Sequence, residues 1–116
     1  MTAADHWLAQ VRHDLVKRLL WPARDRRDLG GAVRPGELTA ALIDAEGAPV
    51  TATALWTALR AEAPADVPAP ALDAFTAAVD ASVAAAATDD LAGVLNLEAA
   101  FAALTAAAAA PNGRNR

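Results

Sequence analysis

The sequence predicts an all-α fold: a small single-domain bundle of about five helices, with a Pro-rich connector between helices 3 and 4. Alanine, the residue with the highest helix propensity, supplies 35 of the 116 residues. Apolar residues recur at helical spacing in several segments, and residues typical of strands are scarce, with no Tyr at all. The length fits one domain, which we expect to span residues 1–110, with a disordered tail at 111–116.

The first predicted helix spans Ala3–Leu20 and begins after Thr2, whose side chain can cap the free N–H groups of the first turn. Its apolar residues form one stripe, which we expect to face the core: Leu8, Val11, Leu15 and Leu19. Trp7 lies beside this stripe. A polar stripe on the opposite side comprises His6, Gln10, His13 and Lys17. The first helix is therefore predicted to be amphipathic.

Pro22 has two interpretations. Because proline lacks an N–H, it stops or kinks the first helix, or it begins a new helical turn as its first residue. We expect a short helical segment over Pro22–Asp28, with Leu29 anchoring it to the core. Gly30–Gly31 then break the chain, and a turn or loop follows over Val33–Gly36.

The second and third helices are predicted over Glu37–Glu46 and Thr53–Glu62. Gly47 follows the second helix as a residue with positive φ, and Thr51 caps the third. The third helix has an apolar stripe of Leu55 and Leu59, with Trp56 beside it. Together the two helices have helix-turn-helix form, although the third carries only Arg60 as a long polar side chain that could read bases. A plain helical hairpin is therefore the preferred interpretation.

The three prolines between Ala63 and Pro70 predict an extended connector within one domain. A fourth helix is expected over Ala71–Ala87, with Ser82 in a packing role. A fifth helix is expected over Asp89–Ala109, where Gly93 either weakens the helix or lets a neighbour come close. The apolar stripe of the fourth helix is Leu72, Phe75, Val79 and Val83, and that of the fifth is Leu91, Val94, Leu97, Phe101 and Leu104.

The charge is distributed unevenly along the chain. The net charge is −4 overall, but residues 1–34 carry +3 and residues 35–110 carry −9. A basic N-terminal third on an acidic body indicates either internal charge complementarity or a polarised binding surface.

Few residues are suited to catalysis or metal binding. The absence of cysteine excludes thiolate chemistry and disulfides, and no glycine-rich phosphate loop is present. The single serine, Ser82, has no glycine elbow around it. His6 and His13 are seven residues apart, about 10 Å along a helix, too far to chelate one metal ion as a pair. We therefore predict that the protein is not an enzyme and that it uses no metal or cofactor.

A cluster of basic residues is the main candidate for function: Arg12, Lys17, Arg18, Arg24, Arg26, Arg27 and Arg34. Interleaved Asp25 and Asp28 can neutralise neighbouring arginines at i, i+3, so the cluster is either a self-paired solvated face or a binding surface. Trp21 either covers one end of the core or contributes to a contact surface, since Trp and Arg are enriched at binding hot spots. The predicted partner-binding residues are Arg18, Trp21, Arg24, Arg26 and Arg27.

Two functions follow from these features. The first is a small helical protein-interaction module, such as an accessory subunit, adaptor or assembly factor, whose basic Trp/Arg-rich segment docks a partner protein with an acidic surface. The alternative is a helix-turn-helix-like nucleic-acid-binding regulator that uses helices 2 and 3. The sequence is also compatible with association of this chain into a homo-oligomer.

The expected location is the cytoplasm. No N-terminal signal pattern is found, and no 18-residue apolar stretch is free of charge, so a membrane partner is not expected. The composition, rich in Ala and Arg and poor in Lys, suggests a bacterial source with a GC-rich genome.

Overall fold

The computed structural model describes residues 2–109 and confirms an all-α architecture, with 68% helix and 4% strand. Helix α1 spans Ala3–Val11 and α2 spans Lys17–Asp28, with a π-helical turn at Arg12–Val16 between them. The later elements are β1 at Leu42–Ile43, β2 at Pro49–Val50, α3 at Ala52–Ala61, α4 at Ala69–Ala87, α5 at Leu91–Leu95 and α6 at Leu97–Ala109. When adjoining segments are joined, the described chain has four helices rather than five. The predicted tail at 111–116 lies outside the described residues.

The segments α1, π turn and α2 form one N-terminal helix over residues 3–28. Thr2 caps it: the Thr2 Oγ1 accepts the Asp5 N–H at 3.1 Å, and the Asp5 carboxylate accepts the Thr2 N–H at 3.0 Å. The buried Trp7 ring donates a 2.8 Å hydrogen bond from Nε1 to the Leu59 carbonyl. The predicted apolar stripe is confirmed, since its members are all buried: Leu8, Val11, Leu15 and Leu19.

Pro22 does not stop this helix, so the predicted end at Leu20 is wrong. Pro22 lies inside α2, where its missing N–H leaves one helical carbonyl without a partner. The helix continues because Leu19, Leu20 and Ala23 are buried around it, and tertiary packing of this kind outweighs local propensity. The predicted helical segment after Pro22 is confirmed, whereas Leu29, expected to anchor it, is 65% exposed.

The predicted second helix, Glu37–Glu46, does not form. A turn over residues 35–38 and an antiparallel two-stranded sheet of β1 and β2 take its place. The register places Leu42 opposite Val50 and Ile43 opposite Pro49. The helix-turn-helix arrangement of predicted helices 2 and 3 is therefore wrong, because its first helix is replaced by a β-hairpin.

The chemistry of the hairpin loop explains this difference. Asp44 Oδ1 accepts the N–H groups of Glu46 and Ala48, each at 2.9 Å, and such side-chain bonds favour a turn over a helix. Gly47 has the predicted positive φ, 85°, but in this loop rather than at a helix end. Leu38 and Leu42 nevertheless lie in the core, with 1% and 5% exposure.

Helix α3 agrees with its prediction. Thr51 caps it by accepting an N–H of the first turn at 3.1 Å, and the stripe with Trp56 is buried. Trp56 Nε1 donates to Thr76 Oγ1 at 2.7 Å, and Arg60 contacts both Thr76 and the Asp73 carboxylate, the latter at 2.6 Å. Arg60 is thus engaged with α4.

Helix α4 follows the predicted connector. Its core face includes Leu72, Phe75 and Val79 as expected. The fourth predicted member of that stripe is wrong: Val83 is 39% exposed, and Ser82 is buried in its place with 3% exposure. The buried face of α4 therefore continues after Val79 through the small side chain of Ser82 rather than through Val83. This agrees with the packing role predicted for Ser82.

Helices α5 and α6 together correspond to the predicted fifth helix, interrupted only at Asn96, whose backbone keeps right-handed helical angles. Gly93 lets α5 approach α4, since a Cβ placed there would lie 2.7 Å from the Ala85 Cβ. One of the two roles predicted for Gly93, close approach of a neighbour, is therefore confirmed.

A chain of aromatic rings connects the helices in one core. The ring centroids of Trp7 and Trp56 are 6.1 Å apart, those of Trp56 and Phe75 are 4.8 Å apart, and those of Phe75 and Phe101 are 6.2 Å apart. The last two pairs pack edge to face, an arrangement that aromatic quadrupoles favour. Large side chains are few in this Ala-rich chain, so these four rings tie α1, α3, α4 and α6 together.

The segment Leu91–Ala109 is long and apolar enough, by length and composition, to cross a membrane, with mean hydropathy 1.6. It contains one acidic residue, Glu98, which contacts Arg24 of α2. Core helices of soluble proteins meet the same criterion but are mostly buried, whereas 17% of the apolar window of this segment is buried, with Leu97 and Leu104 among the buried residues.

Candidate docking surface

Trp21 is the most exposed large apolar side chain among the described residues, with 66% of its surface accessible. It lies on α2 beside Lys17, Arg18 and Pro22, opposite the loop residues 39–41. Together with His13 these residues line a shallow cavity of about 410 Å³. We call them the Trp21 surface.

This exposure decides between the two interpretations of Trp21. A ring that covered the end of the core would be buried, so that interpretation is wrong. Arg18 is half-buried next to Trp21 and also lines the neighbouring cavity with Ile43, another exposed apolar side chain. The structure therefore brings two of the predicted partner-binding residues together, and their role in docking stays a prediction.

Arg24 and Arg27 contact an acidic residue far away in sequence. Arg24 Nε and Nη2 donate to the same oxygen of Glu98, Oε2, at 3.0 and 2.6 Å. Arg27 Nη1 lies 3.5 Å from the other oxygen, and its Nε is 3.3 Å from Asp28 Oδ1. Two of the predicted docking arginines, Arg24 and Arg27, therefore contact the same carboxylate of α6.

Arg26 contacts a different acidic residue. Its Nε is 2.5 Å from Glu37 Oε2 but lacks hydrogen-bond geometry, so this contact is an ion pair only. The second oxygen of Glu37 accepts the Arg34 N–H at 2.8 Å. Arg26 therefore secures the loop after α2 and is three-quarters buried.

The pattern of pairing differs from the predicted one. The i, i+3 pairs expected from Asp25 and Asp28 do not form within residues 2–109; the partners are mainly Glu37 and Glu98, which belong to the acidic body. Internal charge complementarity thus accounts for Arg24, Arg26 and Arg27 of the basic cluster. Arg12, Lys17 and Arg18 form no ion pair within the same residues.

The structure also reveals a groove that the predicted site did not include. It lies between the N-terminal helix and α6, has a volume of about 430 Å³, and carries Arg12, Lys17 and Arg24 on its walls. Its floor is apolar, formed by Val16, Leu20 and Phe101. We call it the cation groove. Arg12 and Lys17 were visible as members of the basic cluster, but only the fold shows that they flank the same groove.

The histidines lie on the surface without a shared site. His6 and His13 are both exposed, and His13 Nδ1 is 2.9 Å from the carboxylate of its neighbour Asp14. Within the part of the chain that the structure describes, no group of three His, Asp or Glu residues is arranged to hold a metal ion.

Comparison of the chain with protein-family models, with curated proteins and with solved structures finds no significant match. The residues, distances and charges of this chain are therefore the basis for its functional assignment.

Proposed function

We propose that this protein is a small helical protein-interaction module, such as an accessory subunit, adaptor or assembly factor, that docks an acidic partner through the Trp21 surface. The observation that carries the proposal is the exposure of Trp21 beside Lys17 and Arg18. The predicted site is narrowed accordingly: Arg18 and Trp21 remain its centre, and Arg24, Arg26 and Arg27 have structural partners of their own.

The physical basis is the free energy of desolvation. An indole ring with two thirds of its surface in water gains free energy when a partner covers it, since burial of apolar area stabilises by about 25 cal/mol per Å². Its face also attracts cations and its N–H can donate a hydrogen bond. Arg18 adds a planar guanidinium that recognises a carboxylate with two parallel hydrogen bonds.

The proposed partner is acidic because the cations nearest to Trp21 are not engaged in ion pairs within residues 2–109, and the acidic residues that line the neighbouring cavity with Arg18 (Asp14, Asp44, Glu46 and Glu62) do not pair with it. Lys17 and Arg18 have no ion pair in the described chain. Complementary charge increases the association rate and disfavours basic partners. We place this interaction in the cytoplasm and assign the protein no enzymatic role, in keeping with a chain that has no cysteine and one buried serine.

No observation favours nucleic acid as the partner. The predicted first helix of the helix-turn-helix pair is a hairpin, and Arg60 of α3 contacts Asp73 and Thr76. A titration with duplex DNA across a salt series tests this alternative directly, because phosphate binding weakens steeply as salt rises.

The proposal is tested by affinity purification with quantitative mass spectrometry on four variants. Trp21→Ala and Arg18→Glu should each lower the recovery of the specific partner. Leu29→Ala and Arg34→Glu are the matched controls, because Leu29 is as exposed as Trp21 and the Arg34 side chain forms no ion pair within residues 2–109. With the purified partner, Trp21→Ala should weaken binding at least tenfold, which equals about 1.4 kcal/mol.

The thermal unfolding curves of all four variants should match that of the wild type, because none of the changed side chains lies in the core. If Trp21→Ala and Arg18→Glu retain the wild-type partner at wild-type affinity, the Trp21 surface is not the docking site and the proposal fails.

A further inference from the structure

The π turn places two cations on the same groove. In a regular α-helix, residues five apart project about 140° away from each other, since 3.6 residues make one turn. Here the Lys17 N–H bonds to the Arg12 carbonyl in the i→i+5 pattern of a π-helix, and both side chains line the cation groove. Isolated π turns occur frequently at functional sites, where they redirect side chains.

One end of this groove already holds a carboxylate. Glu98 of α6 lies against Arg24, with two hydrogen bonds to a single carboxylate oxygen. At the other end, Arg12 and Lys17 are exposed and form no ion pair within residues 2–109. The groove thus has three cations and one carboxylate of its own, so Arg12 and Lys17 are available to a carboxylate of a ligand.

The floor adds a second requirement for a ligand. Val16 and Leu20 are buried, and Phe101 is half-buried. A ligand that fits both walls and floor therefore combines negative charge with an apolar group. The groove also shares His13 and Lys17 with the Trp21 surface, so the two surfaces adjoin along the N-terminal helix.

We propose that the cation groove binds an acidic segment of the partner protein, with carboxylates at Arg12 and Lys17 and one apolar side chain over Phe101. This inference rests on the proposed function, because it names the second contact of the same docking face. The net charge of −9 on residues 35–110 repels every anionic ligand, and the repulsion grows with the number of charges on the ligand, so a short acidic segment is favoured over a long nucleic acid. The carboxylate of Glu98 on Arg24 is the internal counterpart of the proposed contact.

The test uses the full chain and a synthetic peptide with a central Leu flanked by pairs of Glu. Chemical-shift mapping at low salt should place the peptide on the backbone amides of Arg12, Lys17 and Phe101. The double variant Arg12→Glu/Lys17→Glu should weaken binding at least tenfold, and Arg34→Glu should change it less than twofold. A peptide with Gln in place of Glu should bind at least tenfold more weakly than the acidic peptide.

Several outcomes would overturn the inference: no shift changes with millimolar peptide, equal binding of the Gln peptide, or shift changes centred on other residues. Tighter binding of duplex DNA through Arg12 and Lys17 at the same salt would assign the groove to nucleic acid instead. Trp21→Ala separates this test from that of the proposed function. If the Trp21→Ala variant still binds the peptide and also recovers the partner at the wild-type level, the cation groove remains a binding site and the Trp21 surface is not the docking site.

Discussion

Between Arg12 and Trp21 the N-terminal helix presents cations that have no acidic partner in the described chain, whereas from Arg24 to Asp28 every arginine contacts a carboxylate. Both parts are rich in basic residues and lie on the same helix. They differ in the ion pairs that they form: α6 and the loop after α2 bring Glu98 and Glu37 into contact with the second part, whereas the carboxylates that line a cavity with Arg18 form no ion pair with it. Two parts of one helix with similar basic composition therefore differ in role: the second part attaches the helix to the rest of the fold, and the first part leaves its cations on the surface.

The largest expected effect comes from overpacking the close contact between α5 and α4, which adjoins the helix that carries Glu98. Gly93→Ala would put a Cβ 2.7 Å from that of Ala85, and overpacking of this kind costs about 1–3 kcal/mol. Urea unfolding should show this loss as a lower free energy of unfolding. Ala92→Ser, at an exposed position on the same helix, is the control and should stay within about 0.5 kcal/mol of the wild type.

A smaller effect is expected from reversing charges in the two parts. Arg24→Glu/Arg27→Glu replaces the two cationic partners of Glu98 with two further carboxylates. Because the Arg24 and Glu98 side chains are about two fifths exposed, solvent screening limits the loss to on the order of 1 kcal/mol. The reversal Arg12→Glu/Lys17→Glu should leave the free energy of unfolding nearly unchanged.

Both double variants are compared by urea unfolding at low and high salt. The difference between them should shrink as salt rises, since screening weakens exposed ion pairs. Equal destabilisation by the two variants would show that the two parts do not differ in their internal attachment.

The smallest effect concerns pH at the start of the same helix. Hydrogen bonds with Thr2 lower the pKa of Asp5 below its ordinary value of 3.8. Because the pKa of Asp5 is lower in the folded state, Asp5 stabilises the first turn fully above its ordinary pKa of 3.8. This stabilisation is lost as the pH falls through the lowered pKa. The protection factors of the α1 amides, which correct the exchange rates for the intrinsic effect of pH, should therefore fall in acid, and Asp5→Asn should remove this fall. If the protection factors of Asp5→Asn equal those of the wild type at every pH, the capping box has no measurable role.

Most of the helical fold could be predicted because its signals are local. Thr51 and Thr2 cap the helices that follow them, and the stripe from Leu8 to Leu19 is buried as its spacing indicates. The predicted second helix failed for a local reason too: the Asp44 side chain accepts two backbone N–H groups of a turn, a preference that the spacing of apolar residues does not represent. A ten-residue segment between two glycines has few helical hydrogen bonds to oppose such a turn.

The candidate site could be predicted only in part. Trp21 and Arg18 stood out by residue type and neighbourhood. The pairing of Arg24 with Glu98 joins residues 74 positions apart, and no periodicity reports such a contact. The cation groove depends on a π turn, which the 3.6-residue pattern used for helix prediction does not represent.

The different surroundings of the three tryptophans give the protein two independent optical signals. The rings of Trp7 and Trp56 are buried 6.1 Å apart, so their coupled near-ultraviolet circular dichroism reports the packing of the core. Trp21 is in water, so its emission is accessible to iodide and reports its own surface. A bound partner that covers Trp21 should protect that emission while the circular dichroism stays constant. The unmodified chain thus carries an intrinsic label for docking and a separate one for folding.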